Sequence, residues 1–144
     1  MTIVAAPVSP AELCMIFLNE RLDRAIVAGG AVVGPASDAE QQAGCVQITD
    51  AGSSRPERYV PLYWSRVQLR CVAATEEQAD RIAYHLVSLL RDQGRQVIVA
   101  HSTGVAWLVH AINLVAGPSQ HYDGPESRED LVFAELVVGL DPVT

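Results

Sequence analysis

Ser102 lies in the one segment of the chain that looks like an enzyme motif. The run Val97-Ile98-Val99-Ala100-His101-Ser102-Thr103-Gly104, followed by Val105-Ala106-Trp107-Leu108-Val109-His110, follows the strand, sharp turn and helix order of a nucleophile elbow. Ala100 stands where the first glycine belongs. That order would make Ser102 an acyl-transfer nucleophile, and it requires residues 105–112 to be helical. The rest of a triad does not line up. An acid and then a histidine should follow such a serine, whereas His110 and His121 both precede Asp123. Nothing upstream reads as the repeated β-α units that would build a parallel sheet and supply an oxyanion loop.

Other groupings are weaker still. His101, His110 and His121 could share a metal with Asp123, but spacings of nine and eleven residues match no compact ligand pattern. Gly29-Gly30-Ala31-Val32-Val33-Gly34 lacks the Gly-Lys-Ser/Thr ending of a phosphate loop and does not complete G-x-G-x-x-G, so it reads as a turn. Glu126, Glu129 and Asp130 read as a solvated acidic loop. Cys14, Cys45 and Cys71 are an odd set at wide spacings, with no C-x-x-C pair, and read as reduced buried thiols. These patterns call for no catalytic residue, no metal and no cofactor.

The elements that would position such residues are clearer. Ser9-Pro10-Ala11-Glu12 is a helix start: a capping serine, a proline at the first helical position and a glutamate that can close a capping box. A helix is expected to about Val27, burying Leu13, Ile16, Phe17 and Ala25, with Gly29-Gly30 as its stop. Residues 31–44 read as a loop or short helix. Cys45-Val46-Gln47-Ile48-Thr49 has strand character, and a long polar excursion comes after it. From Arg66 to Cys71 polar and apolar residues strictly alternate, as a half-buried strand requires, which turns Arg66, Gln68 and Arg70 towards solvent or a neighbour. Thr75-Glu76-Glu77-Gln78 is a capping box with acids placed to complement the helix dipole. Its helix should run to about Asp92, with Ala79, Ile82, Ala83, Leu86, Leu89 and Leu90 on one stripe. A β-rich run lies within residues 96–115, a turn-rich stretch from Gly117 to Pro125, and a closing strand from Leu131 to Val138.

Composition narrows the class. A chain of 144 residues is one ordinary domain, with residues 1–8 an extended N-terminal segment. Ten basic residues, all arginine, stand against seventeen acidic ones, for a net charge of −7 and a pI near 4.9. Phosphate-neutralising domains need clustered cations, so a nucleic-acid reader is a poor fit. Hydrophobic residues make up 49% and charged ones only 19%, and the mean hydropathy is +0.17. So small a domain has more aliphatic side chains than its core needs, and burial between subunits is the usual remedy. No targeting signal and no membrane-spanning run is expected.

The order of elements resembles the tail terminator (tail-completion, minor tail) proteins of long-tailed bacteriophages. The resemblance spans residues 10–140: the capped first helix, the strand ending Cys45-Val46-Gln47-Ile48-Thr49-Asp50-Ala51-Gly52, a proline-containing arm, the strand from Ser65 to Cys71 leading into the Thr75 helix, Gly117-Pro118, a polar loop with Arg128, and the closing strand. It implies an α+β fold, with a mostly antiparallel sheet of four to five strands, two main helices on one face and a long hairpin arm. It further implies a homohexameric ring that caps the tail tube, ends tube polymerisation and presents the joining surface for the head, without catalytic residues. The partners would be other copies of the chain, the tube protein and a head-side connector or stopper. DNA would pass through an acidic lumen without specific binding, and the protein would assemble in the host cytoplasm into the virion. By position, the arm at 50–59 and the loop at 118–130 would reach those partners. The interface candidates are Arg55, Arg58, Tyr59, Arg66, Arg70, His121, Tyr122, Asp123 and Arg128. The extra length between Gly94 and Gly117 departs from the pattern. A head-side neck protein is the alternative in the same class, and a small serine hydrolase using Ser102 the alternative in another.

Overall fold

The computed structural model describes residues 8–53, 62–91, 94–122, 128–139 and 141–143. Ser9 starts α1 (Pro10–Arg21) in the expected way: its hydroxyl accepts the Glu12 N–H at 3.3 Å and Pro10 lies in the first turn. The helix is deeply set, with Leu13, Cys14, Phe17 and Leu18 all fully buried. It stops at Arg21, well short of Val27. Asp23 accepts the Ala25 N–H at 2.9 Å through its own carboxylate, and its N–H donates to Nε2 of His85 at 3.0 Å. A local side chain and a tertiary contact thus occupy groups that another helical turn would use. Ala25 is exposed, contrary to expectation.

Between 31 and 44 lie a strand and a helix. β1 (Ala31–Val33) runs parallel to β2 (Cys45–Ser53), and α2 (Asp38–Ala43) makes the crossover between them. Ser37 and Glu40 build a full capping box for α2, each side chain bonding the other's backbone N–H. β3 (Leu62–Val72) returns antiparallel to β2, followed by α3 (Glu76–Leu89). Thr75 accepts the Gln78 N–H at 3.2 Å. The Gln78 amide reaches across to the Ala43 carbonyl at 3.0 Å, tying α3 to the end of α2. The chain closes with β4 (Gln96–Val99), β5 (Ala106–Tyr122) and β6 (Arg128–Gly139).

The strand order is β1-β2-β3-β6-β5-β4. The fold is α+β, but the sheet is mixed and six-stranded, not the mostly antiparallel sheet of four to five strands expected. Two features account for the difference. β1 pairs parallel because α2 carries the chain back over, and the apolar run after Gln96 is broken by a turn into two strands. The turn-rich stretch expected from Gly117 is also strand as far as Tyr122, which pairs with Arg128.

One face of the sheet carries the core. Val46 lies opposite Cys71, Ile48 opposite Leu69, Leu69 opposite Val132, Val67 opposite Ala134 and Leu136 opposite Ile112. These side chains form one buried cluster with Leu13, Cys14 and Phe17 of α1 and Ile82, Ala83 and Leu86 of α3. The two main helices therefore share a face, and the stripe expected on α3 is the buried one. The two long hairpins turn at opposite ends of the sheet: β2 and β3 join through 54–61 at one end, β5 and β6 through 123–127 at the other.

Candidate functional site

Ser102 sits in the turn between β4 and β5, where Ala100 and Val105 close a backbone bond at 2.9 Å. Its N–H and its hydroxyl each donate to the Glu12 carboxylate at 2.8 Å. Val105 leads into β5, so the helix that a nucleophile elbow requires is replaced by a strand, and the serine proton points at a carboxylate of α1. The elbow is not formed. His101 is exposed in the same turn and His110 lies within β5. Among the described residues no three His, Cys, Asp or Glu side chains gather closely enough to hold a metal ion.

The sheet's second face is the most distinctive surface. Alternation along β6 sends Val132, Ala134, Leu136 and Val138 into the core and Leu131, Phe133, Glu135 and Val137 to the other side. β3 contributes Trp64, Arg66, Gln68 and Arg70 in register with them: Trp64 opposite Val137, Arg66 opposite Glu135, Gln68 opposite Phe133, Arg70 opposite Leu131. Trp64, Gln68, Arg70, Leu131 and Phe133 are half-buried and Arg66 is exposed. Towards the β4 edge the same face carries Val97, 55% exposed, and Val99. α1 and α3 pack on the opposite side of the sheet.

The interface candidates divide accordingly. Arg66 and Arg70 share this face. His121, Tyr122 and Arg128 lie on the β5–β6 hairpin, paired at Tyr122↔Arg128 and His121↔Glu129, at one end of the sheet. Arg55, Arg58, Tyr59 and Asp123 fall outside the described residues. Asp50 belongs to β2 and not to a free arm; its carboxylate accepts the Ala11 N–H of α1 at 3.1 Å.

A carboxyl pair with one buried member has no counterpart among the sequence motifs. Asp130, expected in a solvated loop, lies in β6 between Cys71 of β3 and Gln120 of β5, and is 4% exposed. Burial pushes its pKa up to about 7, helped by the hydrogen bond and charge of Asp80 reaching over from α3. The pair is visible only once the register is known, since 50 residues separate its members. The thiols of Cys14, Cys45 and Cys71 are buried and unpaired by disulfides. Burial raises all three; Asp130 and Cys45 raise Cys71 further, and Glu40 adds to Cys45.

An open groove of about 300 Å³ lies beside the start of α3, lined by Ala25, Ile26, Thr75, Glu77, Gln78 and Arg81. Compared with known proteins, the chain matches no family model, no curated protein and no solved structure.

Proposed function

We propose that this chain is a structural subunit of a phage tail: copies close into a ring, most simply a hexamer, that caps the tail tube, stops its growth and offers the surface on which the head docks. One observation carries the reading. Among the described residues helices pack on one face of the sheet only, and the other bears Trp64, Leu131 and Phe133, each only partly buried, beside Arg66 and Arg70. Apolar surface of this kind on a small domain is buried by assembly, and a closed ring buries the same two patches on every subunit.

Two further features support it. Hairpins that turn at opposite ends of one sheet suit a subunit that must touch tube on one side and a head-side partner on the other. The net charge of −7, repeated around a ring, gives a lumen that repels phosphate and lets DNA pass without sticking. In this reading the protein assembles in the host cytoplasm and ends in the virion.

Electron microscopy of the purified protein mixed with tail-tube subunits from the same particle tests the proposal. Rings seated on the ends of tubes of limited length are expected. A chain that light scattering finds monomeric at high concentration and with tube protein present would overturn it.

A further inference from the structure

The two sides of the molecule differ in charge. Residues 8–44 and 73–91, which build the helix side, hold eight carboxylates against four arginines. Among the described side chains of the open sheet face the acids no longer predominate: Arg66 and Arg70 stand beside Glu135. The outer stripe of α3 is the part of the helix side best matched to that face. Glu77, Arg81 and Tyr84 are all exposed along it, and Tyr84, at 67%, is the most exposed large apolar or aromatic side chain among the described residues. Glu77 and Tyr84 lie seven residues apart, about 10 Å at helical rise. Arg66 and Arg70 span about 13 Å along β3.

From this complementarity we propose that the ring contact is heterologous: the open sheet face of one copy seats the outer face of α3 of the next. Glu77 meets Arg66, Arg81 meets Glu135, and Tyr84 packs on the Phe133 and Leu131 side chains. The proposal rests on the ring reading and specifies which two surfaces it joins. A two-fold contact of sheet on sheet would join the same face of both copies and would stop at a dimer. A head-to-tail contact of unlike surfaces repeats around a closed cycle.

Cysteine cross-linking separates these geometries. The three native thiols are fully buried, so the wild-type chain is a quiet background for a short bismaleimide. Arg66→Cys and Tyr84→Cys both replace exposed side chains, which leaves the core untouched. Each single variant is expected to give no cross-linked product. The double variant should give a ladder of covalent multimers ending at the size of the ring, and a mixture of the two single variants should give mainly dimers and no ladder. Dimers from Arg66→Cys alone would overturn the proposal in favour of the two-fold sheet contact. Rings of unchanged mass by light scattering with no cross-link in any combination would also overturn it, and would leave the ring reading standing. Monomers in every sample, with tube protein present, would remove the ring reading itself.

Discussion

β3 and β5 are both long strands beside β6, and they obey different rules. β3 has β2 on one side and β6 on the other, and keeps ten consecutive pairs with β6 from Leu62↔Gly139 to Cys71↔Asp130 without a shift. β5 pairs with β4 only over Ala106 to Val109, so the rest is an edge, and its pairing with β6 slips at three places: Val109/Ala111, Leu114/Ala116 and Ala116/Ser119. Each slip adds one residue to β5, which helps its 17 residues run beside the 12 of β6. Each also reverses which side chains face the core: Trp107 and Val109 point in, then Ile112 and Leu114. A strand held on both sides writes its register into its sequence as alternation. An edge strand is free to bulge, and bulges also discourage a foreign strand from adding to it.

Three experiments bear on this contrast, in order of expected effect. Leu69 of β3 is fully buried and Leu114 of β5 only partly. Leu69→Ala should cost about 4 kcal/mol in urea denaturation and Leu114→Ala about 1–2 kcal/mol. Equal losses would mean that the bulged strand is packed as tightly as the regular one.

Next comes Gly117, at φ +115° in the third bulge, where an added Cβ would lie 2.7 Å from the Leu131 carbonyl oxygen and 3.0 Å from Val132 Cα. Gly117→Ala should destabilise by about 3 kcal/mol, since strain and a backbone clash combine. Gly52 of β2 has nearly the same φ, +113°, with nothing within 4 Å of its Cβ position. Gly52→Ala should cost about 1 kcal/mol, the strain alone. Equal values would show that β6 yields at the bulge.

The smallest effect concerns Asp130, which β3 and β5 flank together. Its folded pKa of about 7 exceeds its ordinary value of 3.8, so the folded chain holds a proton that the unfolded chain releases. Stability is therefore fully present at low pH and is lost as pH rises through the window from about 4 to about 7. We expect a loss of roughly 2 kcal/mol across that window, less than the full displacement at 1.36 kcal/mol per unit would give, because Asp80 keeps some contact with water. Asp130→Asn should flatten the melting temperature against pH there. A slope that survives the substitution would assign the effect to other groups.

The same contrast explains which features are legible in the sequence. Alternation from Arg66 to Cys71 locates β3 and the outward row of Arg66, Gln68 and Arg70, and the 3.6-residue period from Ala79 to Leu86 locates the buried side of α3. Ser9 and Thr75 mark helix starts because their hydroxyls do local work that depends on near neighbours alone. The premature end of α1 depends on His85, and the Asp80–Asp130 pair on sheet register, so neither has a local signature. β1 is three residues long, too short for any period. Ser102 misleads for the opposite reason: a strand, a turn and a glycine are all present, but the conformation beyond the turn is decided by pairing, with β4 over Ala106 to Val109 and with β6 from Val109 onward.

The buried thiols bear on how the protein ages. Thiolate, not thiol, is the nucleophile that attacks oxidants and disulfides, and burial drives the Cys14 pKa up to about 12 and that of Cys45 up to about 11. At pH 7 the Cys14 side chain therefore stays a thiol, and it is closed off from solvent. The core thus keeps three thiols chemically inert without a single crosslink among them.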